Sequence, residues 1–247
     1  MSELSVAQGR TDSDCPIGVP WVSIIIPVLN EAGSVVDCLL PLQSFRHNGD
    51  LELIVVDGGS DDDTEVLAAP LCDRLVVATR GRAAQMNAGA DASRGRVLVF
   101  LHVDTELPDG DGWLQGLSVI VKQGGWGFFS IKLSGDEMWA RVISLFINWR
   151  SRLTGIATGD QCIFVERRRF FDLGGYPPIP LMEDIALSRL FKRGGQAPFN
   201  PGLKVITSSR RWRRNGVVKT VLLMWLLRSL YALGVSPCRL HRLYYGT

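Results

Sequence analysis

Four short apolar runs punctuate the first hundred positions, each closed by polar or small residues. They are VSIIIPV at Val22–Val28, LELIVV at Leu51–Val56, LVVA at Leu75–Ala78 and VLVFL at Val97–Leu101. Continuous, largely β-branched runs this brief are too short for helices and predict parallel strands covered on both faces. Between them the spacing changes to that of a helix. Ser34 to about Ser44 places Val35, Val36, Leu39 and Leu40 on one face, and Thr79–Ala92 is a small-residue helix entered through Gly81 that can lie close on a sheet. Strand alternating with helix gives an α/β fold. Pro27 suits a strand terminus rather than a central ladder position.

Further along, the pattern predicts a helix at Trp113–Gln123, one strand at Gly127–Leu133 and a helix at Met138–Leu153. A strand at Cys162–Val165 follows, then a helix at Arg167–Leu173 stopped by Gly174-Gly175, and another carrying Ile185, Leu187, Leu190 and Phe191. The last apolar run, Val217–Leu233, has Lys219 and Arg228 on opposite sides. As a helix it reaches roughly 25 Å, short of a hydrocarbon core, so it reads as an interfacial or core-packed helix. Residues 1–20 contain no apolar stretch after basic residues and are expected to be a flexible leader, not a signal peptide.

Charge divides the chain. The net value of +2 hides the absence of any acid after Asp184, beyond which twelve Lys and Arg stand, leaving 2 − 12 = −10 on the first 184 residues. That asymmetry predicts a carboxylate-bearing, metal-binding catalytic part at 21–209 and a basic, apolar helical extension at 210–247 with an anionic partner. Arg210-Arg211-Trp212-Arg213-Arg214 suits a diphosphate or anionic lipid headgroups, and no nucleic-acid-binding fold pattern accompanies it. The five cysteines are widely spaced with no C-x-x-C pair, which argues against a disulfide framework or zinc site and fits a reducing cytoplasm.

Candidate chemistry sits at the ends of the predicted strands, where ligands of open α/β sheets bind. Asp57 either accepts hydrogen bonds from a ribose or base edge, or shapes the turn through Gly58-Gly59. His102 and Asp104, two apart in extended chain, can converge on one point and share a divalent cation, Mg²⁺ or Mn²⁺, whose other ligands are phosphate and water. The plainer alternative is a strand-end turn. Arg80 and Arg82 flank a helix start where a phosphate fits, or else face solvent. Glu183-Asp184 also opens a helix, a position that favours acids for electrostatic reasons alone.

Taken jointly, VSIIIPVLNE (Val22–Glu31), VVDGGSDD (Val55–Asp62), RGRAAQMNAGA (Arg80–Ala90), FLHVDT (Phe100–Thr105), GDQCIFV (Gly159–Val165) and MEDIALSRL (Met182–Leu190) resemble the family-two inverting glycosyltransferases of the GT-A fold. Within these the sequence looks most like a bacterial subgroup labelled radical-SAM/selenodomain-associated transferases, whose members are often named after diaponeurosporenoate glycosyltransferase. The resemblance implies a single Rossmann-like domain with a mostly parallel central sheet flanked by helices. It implies that Pro27, Leu29, Glu31, Asp57, Arg80 and Val103 serve the donor nucleotide, and that Asp104, with His102 where the family's D-x-D begins, serves the metal. It further implies that Asp184 is the base and that Asp160, Glu183, Arg211 and Trp212 border the acceptor. Ser208 stands before Ser209-Arg210-Arg211-Trp212, unlike the Q-x-x-R-W of processive members, which argues against long-chain polymer synthesis.

The expected activity is transfer of a hexose from a nucleotide diphosphate-sugar to an acceptor hydroxyl, lipid-linked or apolar, at the inner face of a membrane. A nucleotide-sugar-binding protein without turnover and a nucleotidyltransferase are the rival readings.

Overall fold

The computed structural model describes residues 19–123 and 125–246, so most of the expected leader lies outside the described residues. Among the described residues nine strands form two sheets: β1 (Val22–Val28), β2 (Leu51–Asp57), β3 (Arg74–Val77), β4 (Val97–Phe100), β5 (Thr105–Glu106), β6 (Trp126–Phe128), β7 (Ser130–Leu133), β8 (Ile163–Glu166) and β9 (Lys204–Thr207). The main sheet runs β3-β2-β1-β4-β8-β6. Its first four strands are mutually parallel, and β8 is antiparallel to both neighbours. This is the α/β architecture expected.

Both faces of β1, β2 and β4 are covered, as continuous apolar strands require, whereas the edge strand β3 is only half-buried and Val77 is exposed. Ile24 and Ile26 of β1, with Leu53 and Val55 of β2, pack on the layer that includes Trp113 and Leu117. Ile25, Ile54 and Val56 point the other way, against Ala83, Met86 and Ala90 of the helix Arg82–Ala92. That helix lies so close that a Cβ on Gly89 would fall 2.4 Å from Ile25 Cγ2.

Pro27 falls where the ladder allows it. Ile25 C=O accepts the last bond from the β4 side, from Leu101 N–H at 3.0 Å. Two residues on, Pro27 faces the same side, beyond the last β1–β4 pair, Ile25 with Phe100. Its missing N–H therefore costs no ladder bond, and a crevice opens between β1 and β4.

Three expectations about elements need correction. The helix from Ser34 is broken into Val35–Leu39, a 3₁₀ turn at Leu40–Leu42 and Gln43–His47, because Pro41 has no N–H to continue it. The single strand Gly127–Leu133 is two: β6 ends at Phe128, and β7 leaves for the second sheet, ordered β5-β9-β7. The expected helix Val217–Leu233 is present as Val217–Ala232, but the tail carries two further helices that the pattern did not mark, Arg210–Asn215 and Pro237–Tyr245. Leu227 and Leu240 from the tail are buried with Met182 and Ile185, which fixes it against the start of the helix Glu183–Arg193. Among the described residues no helix is long and apolar enough to cross a membrane.

Candidate active site

The loops after β1 and β2 are laced together at the crevice. Asn30 N–H donates to Ser60 Oγ (2.9 Å), Asp61 N–H to Asn30 Oδ1 (2.8 Å) and Glu31 N–H to Thr64 Oγ1 (2.8 Å). Asp57, fully buried, accepts the N–H groups of Gly59 and Ser60 at 2.7 Å each on Oδ2, and the Ser60 hydroxyl on Oδ1. The structure thus gives Asp57 the turn-shaping role, because a carboxylate with no exposed surface is not placed to meet a base edge. Pro27 and Leu29 are half-buried at this edge, Val103 is buried, and Arg80 is exposed just past β3. Burial raises the Glu31 pKa, and the nearby Asp104 charge raises it further, while Arg210 opposes both.

His102 and Asp104 do not share an extended strand. The chain turns after Leu101, with Thr105 N–H donating to His102 C=O at 3.0 Å, so the alternation that would converge the two side chains is lost. His102 is buried with its Nδ1 3.6 Å from Asp160 Oδ1, and its ring packs directly on Gly159. Asp104 is exposed on the other side of the turn, its C=O accepting Ser208 N–H at 3.0 Å. Among the described residues no group of three or more His, Cys, Asp or Glu side chains is assembled as a metal cage. An open carboxylate with a second, Glu31, in electrostatic range fits a hard cation that carries most of its ligands as phosphate and water. His102 is not part of that pair.

Beside the turn lies a cavity of about 670 Å³, into which Asp160, Glu183, Asp184, Arg211 and Trp212 all project. Local backbone sets them there. Thr158 and Gln161 cap each other across the 3₁₀ turn Gly159–Gln161, which presents Asp160 just before β8 begins opposite the end of β4. Met182, at φ 69°, enters the helix Glu183–Arg193 from the left-handed region, an uncommon conformation for a residue with a side chain. Asp184 is then pinned, Oδ2 accepting Gly159 N–H at 2.8 Å and Oδ1 accepting Ile185 N–H at 2.7 Å.

The charges in this cavity act on one another. Burial raises the Asp184 pKa; its two N–H partners and Arg82 oppose this, and Asp160 adds to it. Glu183 is pushed to about 7 by burial and then by the Asp184 charge. For Asp160 burial also works upward, but the adjoining His102, with Arg82 and Arg211, brings it down to about 2. Its side chain is 51% exposed, and what it is exposed to is the cavity.

Arg82, Arg150, Tyr244 and Tyr245 also line the cavity and were not singled out there from sequence. Burial disfavours the Arg82 cation, but Glu183, Asp160 and Asp184 outweigh it, and its pKa is raised. Its place at the first turn after Gly81 was a usable signal. Arg150 sits mid-helix and the tyrosines near the end of the chain, with no local motif to mark them.

Residues 23–125 match Glycosyl transferase family 2. The matched segment holds the crevice and Asp104, while the acid pair lies beyond it. A PGL/p-HBAD biosynthesis glycosyltransferase of Mycobacterium tuberculosis is 37% identical over 102 residues, covering 38% of this chain and 40% of that one. An undecaprenyl-phosphate 4-deoxy-4-formamido-L-arabinose transferase of Pseudomonas savastanoi is 30% identical over 167 residues, 62% of this chain and 49% of the relative. The chain thus spans less than half the length of these curated relatives. Among solved structures, the mannosyltransferase PcManGT from Pyrobaculum calidifontis, in complex with GDP-Man and Mn²⁺, aligns with a TM-score of 0.61 at 21% identity over 76% of this chain and 56% of that one. Glucosyl-3-phosphoglycerate synthase from Mycobacterium tuberculosis, with Mn²⁺ and UDP, gives 0.54 at 22% identity over 76% and 71%. The fold is that of the GT-A glycosyltransferases.

Proposed function

We propose that this protein is an inverting glycosyltransferase that moves a hexose from a nucleotide diphosphate-sugar to the hydroxyl of an apolar or lipid-linked acceptor. The observation that carries the reading is Asp184, pinned by Gly159 N–H on the floor of a cavity that adjoins the family-two crevice. The donor lies in the crevice, its nucleotide against Pro27, Leu29, Glu31, Val103 and Arg80, with Asp57 holding the loop in shape. Asp104, with Glu31, would hold Mg²⁺ or Mn²⁺ there, and a bound cation would supply charge neutralisation to the diphosphate. The Mn²⁺-bearing relatives of the same fold support this assignment.

The acceptor hydroxyl enters the cavity and gives its proton to Asp184 as its oxygen attacks the anomeric carbon from the face opposite the departing diphosphate. Burial raises the Asp184 pKa above the ordinary carboxylate value, which makes it a better proton acceptor than an exposed carboxylate. Arg82, Arg211 and the Asp160–His102 pair orient the acceptor's polar end. An acceptor with an apolar body agrees with the undecaprenyl-phosphate transferase among the relatives and with the aromatic walls of the cavity. Within the family-two transferases our finer reading is the radical-SAM/selenodomain-associated subgroup, which the sequence as a whole resembles most.

A panel of nucleotide-sugars, with product mass and anomer read by mass spectrometry and NMR, tests the proposal. Release of a nucleoside diphosphate with an inverted product is expected, and Asp184→Asn should cut turnover about 10²- to 10⁴-fold. Release of pyrophosphate would make it a nucleotidyltransferase, and tight donor binding without turnover a binding protein.

A further inference from the structure

Two helices wall the cavity, and both carry exposed apolar stripes. On Met138–Thr154 the stripe is Met138, Val142, Leu145, Trp149 and Leu153, a spacing of four, three, four and four that covers one face for roughly 22 Å. On Val217–Ala232 it is Val218, Leu222, Trp225 and Leu226. Leu145 is 68% exposed, Leu153 70% and Leu222 62%. The stripes meet at the cavity, because Val142 and Trp149 line it from one helix and Trp225 from the other. A water-facing helix has the opposite pattern, and apolar patches of this extent on soluble proteins mark interaction surfaces.

The charge around the stripes selects the partner. Residues 138–159 contain three arginines and no acid, and residues 185–247 contain twelve Lys and Arg and no acid. A second copy of the chain would bring like charge against like. A surface that is negative at its face and apolar beneath fits both features at once.

We propose that the helices Met138–Thr154 and Val217–Ala232 are two lips that seat in the headgroup boundary of an anionic bilayer, so that the cavity opens into the membrane and its acceptor enters sideways from the lipid. The entry of an acceptor rests on the transferase reading; the docking does not. Arg228, half-exposed on the cavity wall, would meet the headgroups at its mouth.

Vesicle co-sedimentation tests this with phosphatidylcholine alone and with roughly 30 mol % phosphatidylglycerol added. The full chain should bind the anionic vesicles, release as salt rises, and bind neutral ones weakly. Leu145→Ser/Leu222→Ser changes two outward residues that do not line the cavity, and should lower anionic-vesicle binding roughly tenfold or more with an unchanged melting temperature. Absence of wild-type binding, equal binding by the variant, or a stable dimer that the variant dissolves would each overturn the docking. Donor turnover without vesicle binding would remove the docking and leave the transferase reading, whereas vesicle binding without turnover of any nucleotide-sugar would do the reverse.

Discussion

Asn87 and Tyr176 exchange two hydrogen bonds. The Asn87 amide donates to Tyr176 C=O at 2.9 Å and accepts Tyr176 N–H at 2.9 Å. One side chain thereby ties the helix that carries Arg82 to the loop that leads into Glu183-Asp184. Asn87→Ala leaves both backbone groups without their partner, which costs about 1–3 kcal/mol for each group that water cannot reach. A melting temperature lower by several degrees, with a larger proportional loss of turnover than of donor affinity, is expected by scanning calorimetry and steady-state kinetics.

Glu183 should make stability fall as pH rises. Its pKa is about 7 in the folded protein against 4.5 ordinarily, so between those values the folded state holds a proton that the unfolded state has lost. The stabilisation is complete below 4.5 and gone above about 7. Glu183→Gln has no proton to lose, and should be more stable than wild type at pH 8 by at most on the order of 3 kcal/mol, with the two converging at pH 4. Urea titrations at the two pH values measure the difference.

The turn at Val103 separates the roles of its neighbours. Asp104→Asn should raise the Mg²⁺ or Mn²⁺ concentration needed for half-maximal turnover by about tenfold or more, the loss of one charged ligand of a weakly caged cation. His102→Gln should leave that concentration unchanged and weaken acceptor use instead. A metal titration of both variants distinguishes this from the shared site expected of an extended chain.

Gly89→Ala sets helix propensity against space. Alanine gains about 1 kcal/mol in a helix, but its Cβ would sit 2.4 Å from Ile25 Cγ2 and 2.9 Å from Val56 Cγ2, both on buried strands. Overpacking of a rigid core costs about 1–3 kcal/mol, so the net effect is destabilising. Chemical denaturation should place the variant's midpoint below that of wild type.

The central strands were legible because their side chains are buried on both faces, which leaves uninterrupted apolar text such as Ile24–Ile26 and Leu53–Val56. Strand ends were legible for the same reason, as were the acids placed on them. What failed depended on contacts that are distant along the chain. Nothing in Gly127–Leu133 announces that Ser130–Leu133 will pair with Lys204–Thr207 rather than continue in the main sheet. The His102–Asp104 spacing predicted convergence only while the chain stayed straight, and the partner that draws His102 aside, Asp160, is 58 residues away. The helix at Met138–Leu153 was legible, but not that Val142, Leu145, Trp149 and Leu153 would face outward.

A single residue, Val103, lies between His102, which packs on Gly159 beside Asp160, and Asp104, which is exposed within electrostatic range of Glu31. With its flanks anchored by β4 and β5, so short a span has little slack to absorb a displacement. On the transferase reading, a displacement of Asp104 by a bound donor is therefore expected to reach His102, and an acceptor affinity that changes with donor present would register it.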